Sequence, residues 1–233
     1  MKNKKSFISL ILAVLLLVPC MFVFSACGAS NSANVSTYDE LLEAINGSKE
    51  VVVLQADIDI PTELHVTRKL TLDLNGKKLY STSELWTATT VSLIKITEDG
   101  ELTIKGNGTM EAKQDDCYGI YVKKGKLVIE NGTFLGNVSV VQVEEGSAEI
   151  LGGYFEDIQK YQKKGDTQYT YTLNLIDANY KDGTGSIIVK GGEFKNFNPA
   201  NNQAEGKNTN FVAEGYSSVL DEETNCYKVT KID

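Results

Sequence analysis

Residues 118–155 state one pattern of apolar residues and glycines twice, and this repeat restricts the possible folds more than any other feature of the chain. A shift of 21 residues places Ile120 on Val141 and Gly125 on Gly146, and the flanking apolar positions coincide as well. A fixed period of this length is typical of a solenoid, in which each repeat buries its apolar face against its neighbours.

The apolar residues within one repeat recur with a period of two. Ile120 and Val122 are expected to point inward and Tyr121 outward, as side chains do on a β-strand. The runs are too short for a helix, and the Asn131-Gly132 pair that follows tolerates the positive φ of a tight corner. We therefore predict that each repeat is one coil of a parallel β-helix, with coils stacked at the usual strand spacing of about 4.8 Å.

The same pattern recurs outside the central pair, in residues 51–80, 94–110 and 173–194. Together these segments predict one all-β domain with about six coils. Polar stretches at 81–90 and 156–170 interrupt the pattern, and insertions in solenoids lie on the outside, often on a binding face.

Both ends of such a stack need a cover, because an end coil otherwise exposes its apolar face and its strand edge. Residues 37–46 predict an amphipathic helix that begins in a capping box at Thr37 and ends at Gly47. We interpret this helix as the N-terminal cap. The repeat stops after Phe197, and residues 211–232 predict a short hairpin as the C-terminal cap.

Residues 1–26 have the composition of a targeting segment and are excluded from the fold. Three lysines precede an apolar run over residues 7–24, which is long enough to span a membrane. The run ends in Phe24-Ser25-Ala26-Cys27-Gly28, which resembles the bacterial lipoprotein signal, where the cysteine becomes the lipid-bearing N-terminus. A retained anchor helix and a signal peptide with an incidental cysteine are the alternatives.

A lipid on Cys27 would make residues 27–36 a tether and would hold the domain at 37–233 outside the cytoplasm, on the cell membrane. Removal of residues 1–26 takes away three lysines and no acid, so the formal charge of −8 becomes −11. So acidic a domain is a poor candidate for binding nucleic acid. The expected partners are the membrane, through the lipid, and a glycan or a surface protein.

Three segments carry a resemblance to a known group of proteins: LDLNGKKL at 72–79, LTIKGNG at 102–108 and GGEF at 191–194. They resemble right-handed parallel β-helix proteins of the pectate-lyase-like superfamily, of the surface-anchored bacterial type, and the likeness extends over residues 37–233. The resemblance implies a right-handed coil and a Gram-positive host. It also implies polysaccharide lyases and hydrolases, although the shared residues are corners and core and report on fold alone.

The catalytic parts that the resemblance implies are largely missing. Lyases of this fold use calcium-binding acids and a basic residue, whereas this chain has one arginine, Arg68, and one histidine, His65, both expected on a solvated surface. The Asp115-Asp116 pair lies in a loop without the partner motifs of polygalacturonases. Because no metal-ligand spacing is present either, we expect no metal and no cofactor, name no catalytic residue, and treat catalysis as the minor hypothesis.

Stacking the coils aligns four outward residues of the repeating strand in one column: Lys95, Tyr121, Gln142 and Asn174. A face that mixes an aromatic ring with amide and ammonium donors suits sugar hydroxyls. Trp86 could add a ring at its edge, as could Tyr161, Tyr169 and Tyr171. A plain solvated sheet face is the competing interpretation.

The sequence thus leads to one functional hypothesis and two alternatives. The hypothesis is a cell-surface lipoprotein whose β-helix domain binds a glycan or another surface ligand without catalysis. The alternatives are a polysaccharide lyase or hydrolase, and a structural or adhesive stalk. Cys117 and Cys226 leave a disulfide open, because an extracytoplasmic pair permits one and an extended solenoid can hold the two thiols apart.

Overall fold

The computed structural model describes residues 31–112, 115–160 and 171–233. These residues form twenty strands and two short helices, which confirms the all-β class. The expectations for the targeting segment and for Cys27 fall on residues outside this description. No helix in the described part of the chain is long and apolar enough to cross a membrane.

The strands form three sheets, and most neighbouring strands run parallel. In spatial order, the seven-stranded sheet contains β1 (Ser32–Val35), β2 (Val51–Leu54), β5 (Lys69–Asp73), β8 (Gly100–Lys105), β11 (Gly125–Ile129), β14 (Gly146–Ile150) and β17 (Gly185–Val189). The five-stranded sheet contains β4 (Leu64–Val66), β7 (Ser92–Ile96), β10 (Tyr118–Val122), β13 (Val141–Val143) and β16 (Leu173–Leu175). The eight-stranded sheet contains β3 (Ile58–Asp59), β6 (Lys78–Ser81), β9 (Thr109–Ala112), β12 (Thr133–Gly136), β15 (Tyr154–Asp157), β18 (Gly192–Lys195), β20 (Cys226–Lys231) and β19 (Tyr216–Asp221).

From β2 to β18 the chain visits the seven-, eight- and five-stranded sheets in the same cyclic order, so neighbours within a sheet are one circuit apart. Ile120 on β10 therefore pairs with Val141 on β13 and with Ile94 on β7, in the register that the repeat predicts. This arrangement is compatible with a β-helix-like fold. Its consequence for function is that equivalent residues of successive circuits lie side by side on one face.

The core is a column of apolar side chains between the sheets. Phe134, Phe155 and Phe194 occupy equivalent positions on β12, β15 and β18, and their rings stack with centroids 5.0 and 4.9 Å apart. Each ring is at most 1% exposed. Successive circuits therefore bury the same residue type at the equivalent position, and this packing stabilises the pairing register of the strands.

Glycine is required where one circuit passes closest to the next. Gly146 has φ 109°, and a Cβ atom there would lie 2.1 Å from the carbonyl oxygen of Gly125. No side chain fits this contact, and positive φ adds strain for any other residue. The recurrence of glycine at these two positions of the repeat thus has a steric cause.

The N-terminal helix α1 (Tyr38–Asn46) agrees with the prediction, since the Glu40 amide donates to Thr37 Oγ1 at the N-cap. Leu41 and Ile45 on its inner side are buried. The Arg68 guanidinium donates to the carbonyl oxygens of Ala44, Ile45 and Lys49 at the other end of the helix. Arg68 was expected to be solvated surface, but it is half-buried and fastens α1 to the chain before β5.

Residues 32–35 differ from the expected tether. They form strand β1, which pairs in parallel with β2 over all four residues and extends the seven-stranded sheet. Val35 is buried, although the segment lacks the apolar alternation of the repeat. An edge strand can be recruited by backbone hydrogen bonds alone, which explains why the polar composition misled the sequence interpretation.

The C-terminal end is closed by more than the expected hairpin. Strands β19 and β20 do form an antiparallel pair, and β20 continues the eight-stranded sheet next to β18. In addition, Phe197 and Phe211 are buried against the core, and the Val189 amide of β17 donates to the Phe211 carbonyl at 2.8 Å. The irregular residues 198–211 therefore cover the last circuit together with the hairpin.

Candidate functional site

The predicted column is present on the five-stranded sheet. The pairing register places Lys95 beside Tyr121, Tyr121 beside Gln142, and Gln142 beside Asn174 on successive strands. His65 on β4 pairs with Lys95 and extends the column by one circuit, a position that the sequence analysis did not assign to it. The column is therefore five residues long and crosses all strands of this sheet.

A groove of about 420 Å³ lies against this column. We call it the aromatic groove; its lining includes Trp86, Tyr118, Tyr121, Lys123, Gln142 and Ile176. One end is formed by the loop before β7, which carries Trp86, and the other by Ile176, directly after β16. The groove thus runs across the strands, beside residues from several circuits.

Three aromatic rings form a continuous wall of the groove. The Trp86 indole meets the Tyr118 ring edge to face, with centroids 5.5 Å apart and an interplanar angle of 85°. Tyr118 in turn lies 5.9 Å from Tyr121 at 62°. Such edge-to-face contacts are the preferred geometry for aromatic pairs and fix the orientation of the rings. Trp86 remains 41% exposed, so its indole is accessible to a ligand.

Lys95 is not the free ammonium donor that the sequence analysis expected. It is 9% exposed, forms an ion pair of 2.7 Å with Glu63 Oε1, and donates to the Thr89 carbonyl at 2.9 Å. The ammonium also lies 5.6 Å from the centroid of the Tyr121 ring. Most of its bonding capacity is therefore used within the protein.

Gln142 and Asn174 are also bonded to the protein. Asn174 Nδ2 donates to Gln142 Oε1 at 2.9 Å, and Gln142 Nε2 donates to the Val143 carbonyl at 3.3 Å. Gln142 is 3% exposed, whereas Asn174 is half-buried. The Gln142 amide therefore lies buried in the lining of the groove, and Asn174 continues the polar row on the next strand.

The phenol groups of the wall stay protonated at neutral pH. The Tyr121 hydroxyl donates to Glu144 Oε2. Burial and this hydrogen bond both raise the pKa of Tyr121, and burial followed by the charge of Asp116 raises that of Tyr118. A ligand in the groove therefore meets neutral aromatic rings with polar edges.

Lys123 supplies the formal charge at the rim. Its side chain is exposed, and within the described residues it forms no ion pair. Lys95, by contrast, is neutralised by its carboxylate partner. The accessible surface of the groove is thus mainly aromatic, with the buried amide of Gln142 in its lining and the ammonium of Lys123 at its edge.

Sequence reasoning missed Glu63, Tyr118, Glu144 and Ile176. Tyr118 begins the same strand as Tyr121, but the two-residue alternation of a strand puts residues three positions apart on opposite faces, so the spacing gave no signal that the two rings meet. Glu63 lies outside the repeating strand and reaches the site only through the fold, so no periodic signal marks it. Among the other expected rings, Tyr171 is half-buried and packs against the core, and Tyr161 and Tyr169 lie outside the described residues.

The residues tested for catalysis do not converge on the groove as an acid–base or metal site. His65 is exposed and lies 3.1 Å from Glu63 Oε1. In a separate loop, Asp116 accepts a hydrogen bond from the Gln159 side chain, and Asp115 accepts one from the Lys160 amide. Over the ranges that the structure describes, no group of three or more histidines, cysteines or acids is placed to hold a metal ion.

The two remaining cysteines are not bonded to each other. Cys117 and Cys226 are both free thiols and both buried. Burial, with a further contribution from the charge of Glu63, raises the pKa of Cys117 to about 12, so this thiol is unreactive at neutral pH. Neither cysteine is among the described residues that line the aromatic groove.

A second groove, of about 430 Å³, lies at the corner between the seven- and eight-stranded sheets. Its charged and amide groups satisfy one another: Lys228 pairs with Glu193 at 2.6 Å, and Asn131 Nδ2 donates to Asn107 Oδ1 at 2.6 Å. Among the described residues that line it, Tyr154 is the one with an aromatic ring. The aromatic groove is therefore the better candidate for a functional site.

Comparison of the chain with protein-family models, with curated proteins and with solved structures finds no match.

Proposed function

We propose that the protein binds carbohydrate in the aromatic groove. The observation that carries this proposal is the wall of three rings, Trp86, Tyr118 and Tyr121, in which the indole is 41% exposed and to which Gln142 adds an amide in the lining of the groove. Sugar rings combine an apolar face with a rim of hydroxyls, so they are bound by aromatic surfaces next to a few polar groups. A volume of about 420 Å³ is also in the range of small-ligand sites, about 300–1,000 Å³.

The coarse fold supports a finer assignment, which we also propose. The cyclic visit to three sheets, and the stacked register from β4 to β18, support a right-handed parallel β-helix of about six circuits of the pectate-lyase-like type. The groove lies on the outer face of one sheet of that coil, where residues of successive circuits can contact successive parts of one ligand. Binding without catalysis is the role that we assign to it.

The N-terminal signal supports a location for this activity. We propose that Cys27 carries lipid and holds the domain on the outer side of the cell membrane, where glycans are accessible. In a Gram-positive host, a Cys27→Ala variant is expected to move from the membrane fraction to the medium or to accumulate uncleaved. Unchanged membrane retention, with no label from an alkyne-tagged fatty acid in the wild type, would reject the lipid anchor.

A glycan array followed by calorimetry tests the binding proposal. Trp86→Ala and Tyr121→Ala are expected to weaken binding of any hit by about tenfold or more, because a truncated aromatic anchor typically costs 2 kcal/mol or so. Tyr80→Ala is the matched control: it removes a half-buried outward tyrosine from the eight-stranded sheet. Release of fragments from a uronate polymer would instead favour a lyase or hydrolase. Absence of any hit would favour a stalk.

A further inference from the structure

The loop between β6 and β7, residues 82–91, carries Trp86 and is fixed on both sides of the indole. On one side Leu85 is 1% exposed and belongs to the core. On the other side Thr87 and Thr90 close a tight turn, in which the Thr87 amide donates to the Thr90 carbonyl at 2.7 Å and the Thr90 amide donates to Thr87 Oγ1 at 2.9 Å. The turn is compact, and directly after it the Val91 carbonyl accepts a hydrogen bond from the Tyr118 amide of β10 at 2.9 Å.

A second attachment of the loop end comes from a buried carboxylate in the preceding circuit. The Glu63 side chain is 1% exposed, and its Oε2 accepts hydrogen bonds from the amides of Val91 and Ser92 at 3.0 and 2.9 Å. The Ser92 hydroxyl adds a third bond of 2.7 Å. A charge buried to this extent is stable only when fully bonded, so docking of the loop end and burial of Glu63 depend on each other.

Lys95 completes the attachment. Its Nζ atom bridges Glu63 Oε1 at 2.7 Å and the Thr89 carbonyl at 2.9 Å, so it links the carboxylate to the turn that follows Trp86. The same ammonium faces the Tyr121 ring. One buried ion pair therefore contacts both the loop that carries the indole and the ring at the other end of the aromatic wall.

We propose that Glu63 and Lys95 form a clamp that positions Trp86 against Tyr118. Lys95 also lines the groove, but its ammonium is committed to Glu63 and to the Thr89 carbonyl rather than to a ligand. The expected effect of the clamp on affinity rests on the proposed carbohydrate binding. Its expected effect on the position of Trp86 concerns the protein without a ligand. Glu63 and Lys95 are accordingly positioning residues. Binding by the indole is efficient because the loop is held in place before a ligand arrives.

Trp86 is the single tryptophan of the chain, so tryptophan fluorescence, excited outside the absorption band of the tyrosines, reports on this loop alone. The decisive variant of the full-length protein is Glu63→Gln combined with Lys95→Met. It removes both charges at once, and replacement of a whole buried pair is often neutral for stability, whereas removal of one partner is not. Lys123→Met is the matched control, because it removes an exposed ammonium at the same groove that forms no ion pair in the described structure.

The double variant is expected to keep a melting temperature within about 5 °C of the wild type. Without the Thr89 bond, the fast component of the Trp86 anisotropy decay should grow, the emission should shift to the red, and affinity for a glycan hit should fall by about tenfold. Lys123→Met should leave the anisotropy decay unchanged.

An unchanged anisotropy decay in a folded double variant overturns the clamp, and loss of binding in that case would make Lys95 a ligand contact. A larger fast component in a protein that binds no glycan, wild type included, supports the clamp and rejects the proposed function instead. Should the double variant fail to fold, Ser92→Ala decides in the same way, because it removes one of the three hydrogen bonds to Glu63 Oε2 and leaves the ion pair with Lys95 in place.

Discussion

The Lys95 ammonium lies 5.6 Å from the centroid of the Tyr121 ring, at the same register position of the adjacent strands β7 and β10. A cation over an aromatic face stabilises the ring by about 0.5–2 kcal/mol, depending on how far the pair is desolvated. Lys95 is nearly buried, and its charge is balanced by Glu63. The contact therefore connects a buried ion pair to the aromatic wall of the groove, so the stability of one and the shape of the other are linked.

Two substitutions of Tyr121 distinguish the contribution of its ring from that of its hydroxyl. In Tyr121→Phe the ring and the contact with Lys95 are kept and the hydrogen bond to Glu144 is lost, so the free energy of unfolding should fall by about 1 kcal/mol with little change in glycan affinity. Tyr121→Ala should lower both. Urea unfolding and calorimetry provide the two numbers. If Tyr121→Phe binds as weakly as Tyr121→Ala, the hydroxyl is the ligand contact, and the stacking argument is wrong.

The phenylalanine stack should dominate the stability of the last three circuits, which contain β12, β15 and β18. Phe155 has a ring stacked on each side, so Phe155→Ala is expected to lower the free energy of unfolding by about 3–5 kcal/mol, through lost burial and an unfilled cavity. Ile188→Ala is the control, since Ile188 is apolar but 43% exposed, and it should cost less than about 1 kcal/mol. Equal costs in urea unfolding would contradict the stacked core.

Two glycines with nearly the same φ allow the cost of a steric clash between circuits to be separated from the cost of backbone strain. Gly146 (φ 109°) has the Gly125 carbonyl oxygen 2.1 Å from a built Cβ, whereas Gly206 (φ 113°) has nothing within 4 Å. Gly206→Ala should therefore cost only strain, about 1–3 kcal/mol, and Gly146→Ala clearly more, because the circuits must also move apart. Thermal unfolding compares the two. A Gly146→Ala variant as stable as Gly206→Ala would show that the circuits are not packed this closely.

Stability should fall as the pH rises toward 7, because of a carboxyl group in the C-terminal cover. Glu205 is 8% exposed and accepts the Leu175 amide at 2.7 Å. Burial, together with the neighbouring carboxylate of Asp177, raises its pKa to about 7, although the hydrogen bond from Leu175 acts in the opposite direction. The folded state thus holds a proton that the unfolded state releases near pH 4.5, and stability present below that pH is lost between there and pH 7.

Unfolding by urea at pH 5 and at pH 8 measures this effect, which amounts to at most about 3 kcal/mol for one group. Glu205→Gln resembles the protonated form and can still accept from Leu175, so it should keep the stability at pH 5 and lose less of it at pH 8. A residual slope of the same sign is expected from Asp157, whose pKa burial raises to about 6. An identical pH dependence in the variant and the wild type would contradict the assignment to Glu205.

The sequence by itself determined the repeat, the inward and outward alternation, and the register of the sheets. The pairing of Ile120 with Val141, and the column from Lys95 to Asn174, follow from a fixed period and from the two-residue alternation of a strand. The N-terminal helix was also predictable, because its cap at Thr37 and its apolar stripe are local signals. Each of these features depends on residues that are close together in the chain.

Only the tertiary structure decided what the column is able to do. Lys95 is neutralised by Glu63 and Gln142 is buried, and neither fact has a local signature, because the partners come from different circuits or from a loop outside the repeat. The same holds for Ser32–Val35, which becomes a strand through backbone pairing with β2 despite its polar composition. Periodicity indicates which way a side chain points; what it meets there depends on contacts between distant parts of the chain, which carry no period.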